Sequence, residues 1–217
     1  MKSYRQYCAL ARGLDVIGDR WVLLIVRELL DGPRRYGELV HGLPGIATNL
    51  LADRLAVMNA HQLVAKTEDR YELTERGQDL RDVVVAIGRW ALPLMGGMNT
   101  DDVFRSHWIT HPIADMFPGV DPTRKDLTVE VRCGEAPMTL AVTGGRVSVQ
   151  PGHSAAPDLV LTGPPDVTIG LLARHVTPAQ AKACGVAITG DVRLLRRLKP
   201  HQADDVAASS RPKDKNQ

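Results

Sequence analysis

Apolar positions in the first hundred residues recur at helical spacing, broken by short turn clusters. Cys8, Leu10, Leu14 and Ile17 form one series. Trp21, Leu24, Ile25 and Leu29 form the next, stopped by Asp31-Gly32-Pro33. Arg34-Arg35-Tyr36-Gly37-Glu38-Leu39 is expected to start another helix, and Leu43-Pro44-Gly45-Ile46 to make a tight turn. Ala47 to Asn59 carries the helix after it, with Leu51, Leu55 and Met58 on one stripe. Val64 to Leu73 holds two very short strand-like runs. Thr74 is an N-cap candidate and Glu75 suits a first turn, so a long helix is expected from Thr74 to Met95. Its apolar face would be Leu80, Val84, Ile87, Ala91 and Leu94. A helix, a turn, a helix and a hairpin make a winged helix-turn-helix, whose second helix can enter a major groove.

Gly96-Gly97 marks a boundary, and residues 98–125 read as a connecting segment. From Asp126 the period changes to two. Leu127, Val129, Val131 and Cys133 alternate with polar residues, as do Met138, Leu140, Val142 and then Val147, Val149. Gly144-Gly145 between the last two runs fits a tight hairpin turn. Asp158 to Thr162 and Val186 to Thr189 read as strands; Asp166 to Arg174, Pro178 to Ala183 and Asp191 to Leu198 read as helices. Residues 1–97 are thus expected to be a mainly-α winged helix-turn-helix. Residues 126–200 are expected to be α+β with an antiparallel sheet. Residues 201–217 have little apolar content and are expected to be disordered.

The chain has 217 residues and a formal net charge of +2. Residues 1–98 carry 13 Lys and Arg against 12 Asp and Glu, so attraction to nucleic acid must come from clustered charge. No apolar run reaches the length of a membrane span, and no signal-peptide pattern opens the chain; a cytoplasmic protein is expected. Three scattered cysteines, Cys8, Cys133 and Cys184, exclude a disulfide framework. His107, His111 and Asp115 have metal-ligand spacing for one helix face, but Pro112 interrupts the run and no further ligand follows. Neither a glycine-rich phosphate loop nor a Gly-x-Ser-x-Gly run occurs. No metal, no cofactor and no enzymatic activity are expected.

Opposite the stripe of the Ala47–Asn59 helix lie Asn49, Ala52, Asp53 and Ala56. Small side chains let a helix approach a groove closely. Asn49 can pair with adenine, Asp53 can accept from cytosine, and Thr48 suits a phosphate or base contact. A plain solvated face would carry the same pattern. Arg54 leans towards the apolar stripe, where it can brace the fold instead of meeting DNA. Arg34 and Arg35 can meet phosphate. In the wing, Lys66 and Arg70 can touch the backbone, opposed by Glu68 and Asp69.

The first hundred residues resemble the HxlR-type transcriptional regulators, winged-helix proteins related to the MarR group. The resemblance rests on Cys8, Ile17-Gly18-Asp19-Arg20-Trp21, Leu29 to Leu39, Pro44-Gly45-Ile46, Leu51-Ala52-Asp53-Arg54-Leu55 and Tyr71 to Gly77. It implies a homodimer, formed through Tyr4–Leu14 and Leu80–Leu94, that binds an inverted repeat in double-stranded DNA and acts as a repressor. Two departures stand out: Ala47 where a serine cap is common, and a shorter wing. Cys8 is a redox candidate. The second half is similar to sterol-carrier-protein-like domains through Ala156 to Gly163, Pro178-Ala179-Gln180-Ala181 and Gly185 to Asp191. That similarity implies an apolar tunnel for a hydrophobic small-molecule effector, with Leu140, Leu171, Leu172 and Ile188 as candidate walls. Ordinary core packing accounts for the same four. A hydrophobic-ligand carrier, its winged helix serving only dimerisation, is the alternative function.

Overall fold

The computed structural model describes residues 3–91, 94–117 and 120–199, the side chains of residues 111, 112 and 115 excepted. The residue 201–217 tail lies outside the described residues, as do the side chains of His111 and Asp115. The chain divides into two compact units, Met1–Pro93 and Leu94–Gln217.

In the first unit, α1 (Ala9–Ile17) and α2 (Val22–Leu29) precede a two-residue strand, β1 (Arg34–Arg35). Then come α3 (Tyr36–Gly42), α4 (Thr48–Ala60), β2 (Val64–Thr67), β3 (Arg70–Leu73), α5 (Glu75–Gln78) and α6 (Arg81–Ala91). The three strands pair antiparallel in the order β1-β3-β2. Val22, Ile25, Val26 and Leu29 of α2 meet Leu39, Leu51, Leu55, Met58, Leu63 and Val64 in one apolar cluster. Leu24 was expected on that face but is exposed. The buried set follows i, i+3, i+4, i+7 from Val22, which turns Leu24 outward.

Two elements differ from expectation. Arg34 and Arg35 do not start a helix: they pair with Tyr71 and Arg70, and α3 begins at Tyr36. Arg35 is extended (φ −74, ψ 158), and its N–H donates to Glu38 Oε2 at 2.6 Å, which fixes the helix start one residue later. A two-residue strand exists only because β3 is there to pair with it. The expected long helix is broken between Gln78 and Arg81. The Gly77 N–H donates to Thr74 Oγ1 (3.1 Å), and Gly77 is pressed against the Leu63 carbonyl, so α5 is seated under the wing before α6 sets off.

The second unit has a 3-10 turn (Ser106–Ile109) leading into α7 (Thr110–Met116), then β4 (Leu127–Arg132), β5 (Met138–Thr143) and β6 (Arg146–Pro151). β7 (Leu159–Thr162), α8 (Pro165–Leu172), α9 (Pro178–Ala183) and β8 (Ala187–Gly190) follow. Val192–Arg197 forms a short 3-10 turn, not an α-helix. The β5–β6 turn is the two-residue one expected: Gly144 and Gly145 have φ of +55 and +83 between paired Thr143 and Arg146. The sheet, in the order β6-β5-β4-β7-β8, is mixed and not antiparallel, because β4 and β7 run parallel. Alternation along a strand reports which face is buried and says nothing about the neighbour's direction. Leu140, Leu171 and Leu172 are buried in this unit's apolar cluster, and Ile188 packs against it. Core packing accounts for all four.

Leu127, Val129 and Val131 point into that cluster, so Glu130 lies on the opposite face of β4, yet it is only 1% exposed. Burial alone would raise its pKa. His153 Nδ1 at 2.8 Å, the Arg132 guanidinium at 2.6 Å and the Ser154 N–H at 2.9 Å from the carboxylate outweigh burial. Together they hold the group at about 2, below its usual 4.5. A carboxylate lowered on folding stabilises fully above its unfolded value, and that stabilisation drains away as pH falls through the folded one. Amide protection factors in β4 and β5 should therefore fall between pH 4.5 and about 2, and Glu130→Gln should flatten that dependence. Equal dependence in both proteins would count against the cluster.

Candidate nucleic-acid interface

The surface is built around α4. Leu51, Leu55 and Met58 are 0%, 2% and 1% exposed and hold the helix to the core. Thr48, Asn49, Ala52, Asp53 and Ala56 are exposed on its other side. The sequence stripe and its outward face are therefore found as expected. Ala47 caps the helix with no side-chain hydrogen bond. Tyr36 of α3 makes a contact of another kind: its hydroxyl donates to the Thr48 carbonyl at 2.5 Å and ties down the first turn. At the other end, Asn59 Nδ2 donates to the Val64 carbonyl at 3.0 Å, joining α4 to the wing. Neither contact was readable in the sequence, because each partner lies on another element.

Arg54 turns inward. Its Nη2 lies 2.8 Å from Asp19 Oδ2, and both side chains are about four-fifths buried. Asp19 also accepts from the Trp21 N–H at 3.0 Å. Burial pushes the Asp19 pKa up, but the bonds from Arg54 and Trp21 prevail and leave it below the ordinary carboxylate range. The bond to Asp19 raises the Arg54 pKa in turn. Of the two roles open to Arg54, the structure favours the brace.

The remaining cations gather at the three-stranded sheet. Arg35 and Arg70 are cross-strand partners, as are Arg34 and Tyr71, and Lys66 and Tyr71. Arg34 is half-buried: its Nε donates to the Glu28 carbonyl at 3.4 Å, and its Nη2 lies 3.9 Å from Asp31. Lys66 Nζ sits 5.6 Å from the Tyr71 ring centre, within cation–π range. Arg70 donates to the Pro33 carbonyl at 3.3 Å. Arg35 Nε lies 2.6 Å from Asp69 Oδ2 of the wing turn. Asp69, expected to oppose a backbone contact, is instead the ion-pair partner of Arg35, a pairing that requires β1 to lie beside β3.

Cys8 and Cys184 are exposed, and Cys133 is buried. Burial, with Glu135 adding to it, pushes the Cys133 thiol up to about 11, so little thiolate forms there at neutral pH. Among the described residues no helix is long and apolar enough to cross a membrane.

Residues 16–96 match the model of the HxlR-like helix-turn-helix family. The HTH-type transcriptional regulator YvaP of Bacillus subtilis is 30% identical over 87 residues, 37% of this chain and 81% of that protein. YodB of the same organism is 32% identical over 84 residues, 36% of this chain and 75% of that one. The regulator sll1512 of Synechocystis sp. is 31% identical over 87 residues, and the chain spans only 64% of its length. Among solved structures, quinone-bound YodB from B. subtilis is 33% identical, covering 38% of this chain and 93% of that one with a TM-score of 0.37. By the family model and the sequence matches to YvaP and YodB, the chain belongs to the HxlR-like helix-turn-helix family of transcriptional regulators.

Proposed function

We propose that the protein is a dimeric repressor that reads an inverted repeat in double-stranded DNA. The observation that carries this reading is α4: one side is fixed in the core, and the other presents Thr48, Asn49, Ala52, Asp53 and Ala56 to solvent. Short side chains at 52 and 56 leave room for the groove floor, and Asn49 has the donor and acceptor that adenine needs. Arg35, Lys66 and Arg70 at the sheet supply backbone contacts. Apolar side chains exposed on α1 and α6 support the dimer: Leu10 is 71%, Ile87 46% and Trp90 75% exposed. Such a surface suits a second copy better than water.

Selection of duplexes with the full-length protein, followed by titration of the enriched duplex, tests the reading. Asn49→Ala should cost one to two orders of magnitude in affinity for that duplex, about 1–3 kcal/mol, and little on unrelated DNA. Lys66→Ala should weaken binding to both and reduce the salt slope by about one unit. Failure to enrich any sequence would sink the proposal.

The second unit takes, in this reading, a sterol-carrier-like role as the seat of an apolar effector. What supports it is the similarity carried by Ala156 to Gly163, Pro178-Ala179-Gln180-Ala181 and Gly185 to Asp191. The same titration, repeated with each compound that copurifies with the chain, tests this. Unchanged affinity with all of them removes the effector.

A further inference from the structure

The Arg35–Asp69 pair joins β1 to the turn of the wing, the sheet to which the proposed function assigns backbone contacts. Thr67 and Arg70 are register partners, so Glu68 and Asp69 alone form the turn of the wing. Glu68 adopts φ +54, a left-handed conformation disfavoured for a residue with a side chain. On the neighbouring strand, Arg35 and Arg70 face one another, and like charges directly opposed destabilise a sheet. Arg70 is held towards the Pro33 carbonyl, and Arg35 takes the Asp69 carboxylate at 2.6 Å. Both side chains of that pair are 59% exposed, so the contact is open to exchange with a solute anion.

A carboxylate and a phosphodiester offer a guanidinium the same thing: anionic oxygens that accept its N–H groups. We propose that Asp69 is an internal stand-in for a DNA phosphate, occupying Arg35 in the free protein and displaced when a duplex docks. This rests on the reading of α4 and the wing as a duplex-binding surface. Arg35 then contributes to binding only by trading one anion for another. Its attraction for arbitrary DNA is reduced, and a duplex must be well seated by α4 before the exchange becomes favourable. Near-balance of charge in residues 1–98, 13 cations to 12 anions, fits a protein that limits indiscriminate binding.

Fluorescence anisotropy with the full-length protein tests this, using the selected duplex and an unrelated one across about 50–200 mM salt. Asp69→Asn should tighten binding to both duplexes, by roughly 3- to 10-fold at the low-salt end, and steepen the log–log salt slope by about 0.9, the share of one phosphate contact. Glu68→Gln, which removes the neighbouring acid of the same turn, should give a smaller gain. In an Arg35→Ala background the gain from Asp69→Asn should shrink to less than about twofold, since the two residues act as one unit. An equal gain with and without Arg35 would make Asp69 an ordinary repelling charge and overturn the proposal, as would no gain at all. If neither parent nor variants bind any duplex, the DNA reading itself falls, a result distinct from both.

Discussion

Gly77→Ala should destabilise the N-terminal unit by about 3 kcal/mol. In an open helix the same change would stabilise by up to about 1 kcal/mol, because alanine is the better helix former. Space reverses the sign here. A Cβ on Gly77 would lie 2.0 Å from the Leu63 carbonyl oxygen, 3.0 Å from its carbon and 3.1 Å from Leu73 Cδ2. Two of those atoms are backbone and cannot rotate away. The same Leu63 oxygen accepts from the Thr74 N–H at 3.1 Å, and Thr74 Oγ1 donates to the Gln62 carbonyl at 2.5 Å, so any shift of Leu63 also loosens the closure of the wing. A melting temperature lower by roughly 12–24 °C is the expected reading for a unit of this size. Retention of the parental melting temperature would mean that α5 is not seated against Leu63.

Asp19→Ala should cost roughly 2–3 kcal/mol. Its partner Arg54 is 23% and Asp19 itself 19% exposed, so the pair falls between a surface ion pair, at about 0–1 kcal/mol, and a buried one, at about 3–5 kcal/mol when broken. Losing the bond from the Trp21 N–H adds about 1 kcal/mol. Removal of Asp19 strands a cation whose Nε is already buried without a partner. Replacing that cation as well, as Asp19→Ala with Arg54→Met, should therefore recover part of the loss, and urea denaturation of the two single variants and the double measures it. Strict additivity would show that the two side chains do not interact. Because the pair links the turn after α1 to α4, DNA affinity should fall in Asp19→Ala even where the protein is still folded.

What could be read in the sequence was whatever depends on near neighbours. The stripe Leu51, Leu55, Met58 on α4 is a matter of helical spacing, and all three are buried. Thr74 is an N-cap in fact, accepting from the Gly77 N–H, and the Gly144-Gly145 turn follows from the positive φ that both positions need. What could not be read depends on distant residues. Arg34 and Arg35 become a strand through Tyr71 and Arg70, more than 30 positions away. The break after Gln78 comes from a close approach to Leu63, and the exposure of Leu24 from the placement of the elements around α2. In the candidate interface, α4's outward residues were legible, but the occupant of Arg35 was not, because only the fold brings Asp69 to it.

The parallel β4–β7 pair divides the second unit into two halves that are each local in sequence. β4, β5 and β6 form one continuous meander, and β7 to β8 closes through α8 and α9. They meet along a seam in which Val129 pairs with Leu159 and Val131 with Leu161. Local pairings form sooner than distant ones. The meander is thus expected to zip up first, leaving one margin of β4 bare until the later half arrives. During synthesis on the ribosome that bare margin is the part of the unit most apt to capture a strand from a neighbouring nascent chain.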